Sequence, residues 1–171
     1  SGISSLCQSL APRRISAEVI DLLLPREELI EELLNSKGLL TSGFLLLPLQ
    51  DSDHINFWDE APFSTQQELV VAAARRFPDQ SIVVTHHPDT REISRETMAE
   101  LVLLLPNVVE LEELAGIGNV TARLLPFANG LVAVSSGLIF QAILRDVPVH
   151  LMGRHGLEAI LRKGAATQDV A

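Results

Sequence analysis

The regular alternation of short apolar runs with helical segments is the feature that most constrains this fold. Five such runs occur, at residues 44–48, 81–85, 107–111, 131–134 and 147–151. Helical segments of about ten residues separate most of them, which is typical of βαβ crossovers and a parallel sheet. The sequence therefore predicts an α/β fold: an open, doubly wound, Rossmann-like sheet of about five strands with helices on both faces. We expect residues 44–48 to be central and 131–134 to lie beside them.

The composition agrees with a single α/β domain. The chain has 171 residues, of which 47% are hydrophobic, and the aromatic residues are limited to six Phe and one Trp. This content is enough to bury a substantial core. Its aliphatic bias suits parallel strands that are covered by helices on both sides.

The two ends of the chain lack the strand–helix alternation of the middle. Residues 1–40 are predicted to form a helical connector, in which Ser16 caps a short helix, Pro25 begins a second one and Gly38 ends it. Residues 41–163 are predicted to form the Rossmann-like domain, including a last helix over 157–162. The tail 164–171 is expected to be frayed.

Charge and cysteine content narrow the range of partners. The formal net charge is −9 and no basic stripe offsets it, so nucleic acid is not expected as a partner. Cys7 is the only cysteine, so a disulfide framework within the chain and a cysteine-based zinc site are both excluded. The apolar runs are far shorter than a transmembrane segment. We expect a cytoplasmic protein, with peripheral association with the inner membrane as an option.

The strongest local motif joins the fourth predicted strand to a helix through Ser135, Ser136 and Gly137. Free backbone amides and the positive end of a helix dipole can bind an anion, and small side chains let a phosphate approach. The alternative is that one serine simply caps the helix. The position at the carboxyl end of a strand favours binding, so we predict a nucleotide-phosphate site at these three residues.

A second motif follows the second strand at His87 and Pro88. The proline holds its neighbour in an extended conformation, and the histidine could donate to a phosphate or a leaving group. A solvated turn is the alternative. The adjacent His86 invites a metal interpretation, but neighbouring side chains on an extended chain point apart, so no metal is predicted.

The polar loop after the first strand supplies the third group of candidates. Gln50 and Ser52 lie nearest the strand end and are predicted to contact a ligand. The rest of the loop is typical of an ordinary hydrophilic connection between a strand and a helix. Asp51 and Asp53 resemble a calcium loop only superficially, because the required glycine and distal glutamate are misplaced. They are the only acids well placed for a chemical role.

Several common nucleotide and hydrolase motifs are missing from the sequence. No glycine-rich dinucleotide fingerprint follows the first strand, and no phosphate-binding loop ends in Lys and Ser or Thr. Gly116 and Gly118 lack the third glycine and do not join a strand to a helix. No serine nucleophile elbow is present either. A nicotinamide dehydrogenase, a P-loop NTPase and a serine hydrolase are therefore not predicted, and no cofactor is expected.

The order of these motifs resembles the capsule-polysaccharide biosynthesis family, whose members are similar to the Kdo transferases of bacterial capsules. The resemblance covers roughly residues 42–160 and rests on the motifs at 44–50, 82–88, 134–142, 148–149 and 153–154. It implies one half of a GT-B-type glycosyltransferase that uses a CMP-activated sugar such as CMP-Kdo. It further implies a polysaccharide or glycolipid acceptor and a second α/β domain that carries the catalytic carboxylate. The isolated chain is then expected to be inactive.

The resemblance also assigns roles to individual residues. His87, in its His-Pro motif with Pro88, would contact the phosphate or ribose of CMP, and Ser135 and Ser136 the phosphate; Gln50 matches the glutamine at the end of the family's first strand of this domain. The chain departs from the family pattern in two places. Thr85 and His86 stand where a lysine is common before the His-Pro pair, and Gln141 stands where an acidic residue is common.

Two other functions remain open from the sequence. The same fold could use a UDP-sugar, either as a transferase or as an epimerase-like domain. Alternatively, the chain could be a non-catalytic α/β interaction domain that is held to another chain by the helix at 16–36.

Overall fold

The computed structural model describes residues 17–50, 62–87, 90–115 and 117–153, with the backbone alone for 17–26. The helices are α1 (Ala17–Ser36), α2 (Leu39–Ser42), α3 (Gln66–Arg76), α4 (Arg95–Leu104), α5 (Val120–Leu124) and α6 (Leu138–Leu144). The strands are β1 (Phe44–Pro48), β2 (Ser81–Thr85), β3 (Val108–Glu110), β4 (Gly130–Ala133) and β5 (Val149–Leu151). Short 3₁₀ turns occupy Glu112–Leu114 and Leu125–Phe127.

The five strands form one open sheet in the order β3-β2-β1-β4-β5, and every pair is parallel. Leu46 of β1 lies opposite Val83 of β2 on one side and Leu131 of β4 on the other. The predicted Rossmann-like fold class is therefore confirmed, with β1 in the centre and β4 beside it. The order reverses between β1 and β4, because the chain moves outward from β1 to β3 and then returns to the other side.

Both faces of the sheet are covered, as the apolar runs predict. Alternate residues of β1 belong to two separate clusters: Leu45 and Leu47 pack towards α3 and α4, whereas Phe44 and Leu46 pack towards α1, α5 and α6. All five residues of β1 are buried. A strand that is buried on both sides needs a continuous apolar sequence, and this explains why β1 shows no polar alternation.

Helix α3 begins one residue later than its capping pattern suggests. The pair Ser64 and Gln67 predicts a capping box, but the observed N-cap is Thr65, whose hydroxyl accepts from the Glu68 amide at 3.2 Å. Glu68 in turn accepts from the Ser64 amide at 2.7 Å. A carboxylate is favoured over a neutral amide near the positive end of a helix, so the Thr65–Glu68 pair forms the box.

In the described part of the connector predicted at 1–40, a single helix stands where the sequence predicts a new helix at Pro25. Helix α1 runs through Pro25 to Ser36, and Ile30 and Leu34 are fully buried against the sheet. The chain then turns at Gly38, whose φ of 72° is in the left-handed region that glycine adopts readily. Burial of two large aliphatic side chains, at about 1.5–3 kcal/mol each, holds the carboxyl half of α1 on the domain.

Several predictions fall on residues outside the described ranges: Ser52, Pro88, Asp51, Asp53, the helix at 157–162 and the tail at 164–171. Within the described part of the chain, no helix is long and apolar enough to cross a membrane.

Candidate functional site

A cavity of about 900 Å³ lies at the carboxyl ends of the strands, on both sides of the point where the strand order reverses. In open α/β sheets this crevice is the usual ligand site, because the loops on its two sides leave in opposite directions. Residues that follow β1, β2, β3 and β4 all contribute to its wall. The volume is sufficient for a ligand the size of a nucleotide.

The structure brings together the described residues that the sequence selects. Gln50 after β1, His87 after β2, and Ser135, Ser136 and Gly137 after β4 all line this one cavity. They are separated by up to 87 positions in the sequence, and the parallel sheet places them at the same edge.

The side chain of Gln50 spans the gap between the β1 and β4 loops. Its Oε1 accepts from the Ser135 amide at 3.1 Å, and its Nε2 donates to the Ser135 carbonyl oxygen. The Ser135 hydroxyl lies 3.5 Å from the same Oε1. On the opposite side, the backbone oxygen of Gln50 accepts from Nε2 of Gln66 at 2.9 Å. Gln50 therefore connects the β1 and β4 loops of the cavity wall with the start of α3, which does not line the cavity.

The two residues after Ser135 lead into helix α6. The Ser136 hydroxyl accepts from the Leu138 amide at 3.3 Å, and the Ser136 carbonyl accepts from the Ile139 amide at 3.0 Å. Ser136 thus satisfies amides at the start of the helix, although the N-cap position itself is Gly137. Because the hydroxyl oxygen of Ser136 is the acceptor in its bond with Leu138, its O–H hydrogen is still able to donate to a ligand. Gly137, the N-cap, is exposed on the cavity wall, and a Cβ there would meet nothing within 4 Å.

A charged network lies at the carboxyl ends of β2 and β3. Nε2 of His86 is 3.0 Å from Oε1 of Glu110, and Nη2 of Arg91 donates to the same oxygen at 2.6 Å. The Glu110 side chain is 12% exposed and that of His86 14%, whereas Arg91 is 32% exposed. The more exposed Glu112 approaches Arg91 only to 4.0 Å. All four residues line the cavity.

Burial sets the protonation of His86. It lowers the pKa of His86 below its ordinary value, and the hydrogen bond with Glu110, which acts in the opposite direction, is the weaker influence. A neutral imidazole that donates from Nε2 to Glu110 fits this environment. The Nδ1 atom is buried and has no hydrogen-bond partner among the described residues.

A neutral hydroxyl pair also belongs to the cavity wall. Thr85, at the end of β2, is almost fully buried, and Oγ1 of Thr121 on α5 donates to its hydroxyl at 3.0 Å. This bond joins β2 to the short helix α5, whose residues also line the cavity. Thr85 is one of only two buried polar residues in the described part of the chain, and Gln66 is the other.

The sequence pattern alone does not indicate the network of His86, Arg91 and Glu110. From the sequence, His86 is not expected to be a metal ligand and stands where the family commonly has a lysine, and Glu110 lies in the predicted strand at 107–111. One signal was available: Glu110 ends an otherwise apolar strand, and β3 follows β2 in the sheet. Within the described residues, no group of three or more His, Cys, Asp or Glu side chains is arranged to hold a metal ion.

Comparisons with known proteins identify one informative neighbour. The chain matches no model of a known family, and no curated protein sequence matches it significantly. Among solved structures it is similar to KpsC, a β-Kdo 2,7 transferase of Thermosulfurimonas dismutans, with a TM-score of 0.50 and 18% sequence identity. The match covers 83% of this chain and 43% of KpsC, so the chain spans less than half the length of that protein. At this identity the likeness shows a shared fold.

Proposed function

We propose that this chain is the nucleotide-sugar-binding domain of a bacterial capsule-type glycosyltransferase, and that its donor is a CMP-activated sugar such as CMP-Kdo. The observation that carries the proposal is the convergence of Ser135, Ser136, Gly137 and His87 on one cavity at the reversal of strand order. The likeness to a Kdo transferase supports the proposal at the level of the fold. The acceptor is proposed to be a polysaccharide or a glycolipid.

Local hydrogen-bond donors would hold the phosphate. The chain carries a net charge of −9, so its overall field repels a phosphate rather than attracting it. The loop from Ser135 to Gly137 offers two hydroxyl groups and the Gly137 amide without any carboxylate of its own. Each hydrogen bond to a charged phosphate contributes about 1.5–3 kcal/mol. His87 lies on the same cavity and is proposed to contact the phosphate or the ribose.

A second α/β domain is proposed to supply the other wall of the active site. KpsC is more than twice as long as the matched region, which leaves room for such a domain in a related protein. The sugar of the donor would then face the cleft between the two domains. With that face open to water, this chain should bind the nucleotide weakly, with a Kd in the high micromolar to millimolar range, or about −4 to −6 kcal/mol.

Calorimetric titration of the chain with CMP, UMP and UDP tests the proposal. We expect a preference for CMP, and we expect the double variant Ser135→Ala/Ser136→Ala to weaken CMP binding by about tenfold or more. Its melting temperature should fall by only a few °C, because the double variant removes the bond from the Leu138 amide to the Ser136 hydroxyl, which contributes about 1 kcal/mol, and no core side chain. A matched control is Ser81→Ala, which removes a hydroxyl at the opposite end of β2 and should leave binding unchanged.

The three nucleotides distinguish the alternatives. Equal, weak binding of all three that the double variant does not change would contradict a nucleotide site at this loop and would favour a non-catalytic domain. A clear preference for UDP would instead support a UDP-sugar transferase or an epimerase-like domain.

A further inference from the structure

We propose that Gln50 is a positioning residue: its side-chain amide holds the Ser135–Gly137 loop in the conformation that binds the ligand, and Gln66 fixes Gln50 from behind. The proposal deepens the proposed function and rests on it for the identity of the ligand. It also changes the role expected of Gln50, because the sequence suggested a direct ligand contact.

The pairing of β1 with β4 explains why a side chain is needed there. In the ladder between β1 and β4, Leu45 pairs with Gly130 and Leu46 pairs with Leu131, so paired residues are 85 positions apart in the sequence. Gln50 and Ser135 have the same offset of 85 and are joined by the Gln50 side chain instead of by the backbone. The two strands have separated at this level to form the crevice. The primary amide of Gln50 bridges the gap by offering one acceptor and one donor, as a paired backbone would.

The bridge determines which groups of the loop remain available. Since the Ser135 amide donates to Gln50, it does not point at a ligand. The remaining donors are the Ser136 hydroxyl and the Gly137 amide, together with the Ser135 hydroxyl if a ligand replaces its 3.5 Å contact to Oε1 of Gln50. Their positions depend on where the Ser135 backbone is held. The polar atoms of the Gln50 side chain are committed to Ser135, although one N–H of Nε2 is not used in that bond.

Gln66 supports this arrangement from the protein interior. Its side chain is 1% exposed and is absent from the cavity wall, and its Nε2 donates to the Gln50 carbonyl at 2.9 Å. It lies in the first turn of α3, directly after the Thr65 cap, so the start of the helix is coupled to the end of β1. Since the one side-chain hydrogen bond of Gln66 among the described residues goes to Gln50, we expect Gln66 to influence the ligand through Gln50.

The test combines amide hydrogen exchange with CMP titration of four variants. Gln50→Met preserves the length of the side chain, adds no charge and removes both bonds to Ser135. Gln66→Met removes only the supporting bond, and it is the second test if Gln50→Met folds poorly. Gln80→Met, at the amino end of β2, is the matched control because Gln80 is exposed and its hydrogen bonds, to Phe77 and Asn107, involve its backbone alone. The fourth variant combines Gln50→Met with Ser135→Ala/Ser136→Ala.

We expect the exchange rate of the Ser135 amide to rise at least tenfold in Gln50→Met and less in Gln66→Met. The Kd for CMP should rise about five- to tenfold in Gln50→Met, while Gln80→Met should match the wild type in both measurements. In the combined variant the Kd should rise by less than the product of the separate increases. Groups that act through one another are not additive, and a hydroxyl that has lost its position contributes less.

Two results would overturn the proposal. An unchanged Ser135 exchange rate in Gln50→Met would show that the bridge does not hold the loop. Increases in Kd that multiply in the combined variant would show that Gln50 binds CMP directly. If the wild-type chain fails to bind CMP, the proposed function is wrong, and the exchange rates alone then decide whether Gln50 fixes the loop.

Discussion

The two ends of the cavity organise polar groups in different ways. At the β1–β4 end, which consists of Gln50, Ser135, Ser136 and Gly137, every group is uncharged and the geometry depends on hydrogen bonds. At the β2–β3 end, which consists of His86, Arg91 and Glu110, the groups are ionisable and share one carboxylate oxygen. The first end leaves hydroxyl donors facing the cavity, whereas the second directs its donors at Glu110.

This contrast indicates where a phosphate would bind. A phosphate near the β2–β3 end would be repelled by the Glu110 carboxylate. It would also have to compete with that carboxylate for the N–H donors of Arg91 and His86. At the β1–β4 end the donors are neutral and no acidic side chain belongs to the loop. The charged network is therefore interpreted as a support for the cavity wall, and the neutral loop as the phosphate site.

The largest effect on stability is expected from Glu110→Ala. This change leaves Arg91 and His86 without their shared acceptor in a largely buried site, and should lower the free energy of unfolding by about 2 kcal/mol. The loss should be below the range for a fully buried pair because Arg91 is partly exposed. Urea denaturation measures it. Glu112→Ala is the matched control, since Glu112 is 61% exposed and 4.0 Å from Arg91, and should cost less than about 0.5 kcal/mol. Equal losses in the two variants would contradict a buried network.

A smaller effect is expected from the hydroxyl pair of Thr85 and Thr121. Thr85→Val should lower the free energy of unfolding by about 1 kcal/mol, the usual contribution of one buried hydrogen bond. Thr121→Val should have a comparable effect because it leaves the buried Thr85 hydroxyl without its partner. The double variant should lose less than the sum of the two, and denaturation of all three variants checks this. A strictly additive result would show that the two hydroxyls do not interact.

The smallest effect is a pH dependence of stability that distinguishes the β2–β3 end of the cavity from the uncharged β1–β4 end. Burial lowers the pKa of His86 in the folded chain, so the unfolded chain binds more protons as the pH falls below about 6.5. The neutral form of His86 therefore makes its full contribution to the free energy of unfolding above about pH 6.5. That contribution is lost as the pH falls towards the lowered pKa of His86 in the folded chain. Glu110, Arg91 and Glu92 are the charged groups that act on this imidazole.

His86→Gln keeps a donor for Glu110 but removes the titration. Denaturation between pH 7.5 and 5 should therefore show a shallower loss of stability in this variant than in the wild type. His150 contributes a separate part of the wild-type slope, since burial lowers its pKa as well. Gln50→Met, at the uncharged β1–β4 end, should leave the slope unchanged. A wild-type slope in His86→Gln would contradict the assignment of this pH dependence to His86.

The sequence was sufficient for the features that depend on local pattern. The continuous apolar run of β1 predicted a central, doubly covered strand, and the strand-to-helix turn at Ser135 predicted a loop on the ligand side of the sheet. The cap of α3 was misplaced by one residue because Ser64 and Thr65 are both good caps. The choice between them depended on whether Glu68 or Gln67 completed the box.

Features that depend on strand register could not be predicted in the same way. His86 and Glu110 are 24 residues apart, and they meet because Val84 of β2 lies opposite Glu110 of β3. Gln50 was selected as a site residue, but its bridge to Ser135 requires the offset between β1 and β4 and the separation of these strands at the crevice. No sequence pattern contains that information.

The most direct test of where the phosphate binds is a titration of the isotopically labelled chain with CMP, followed through its backbone amide resonances. We expect the largest shifts at Ser136, Gly137 and Leu138, with smaller ones at His87. Inorganic phosphate at high concentration should shift the same loop resonances in the same direction. Shifts concentrated at Arg91 and Glu110, with the loop from Ser135 to Leu138 unaffected, would contradict a phosphate site at this loop and would place the ligand at the charged end of the cavity.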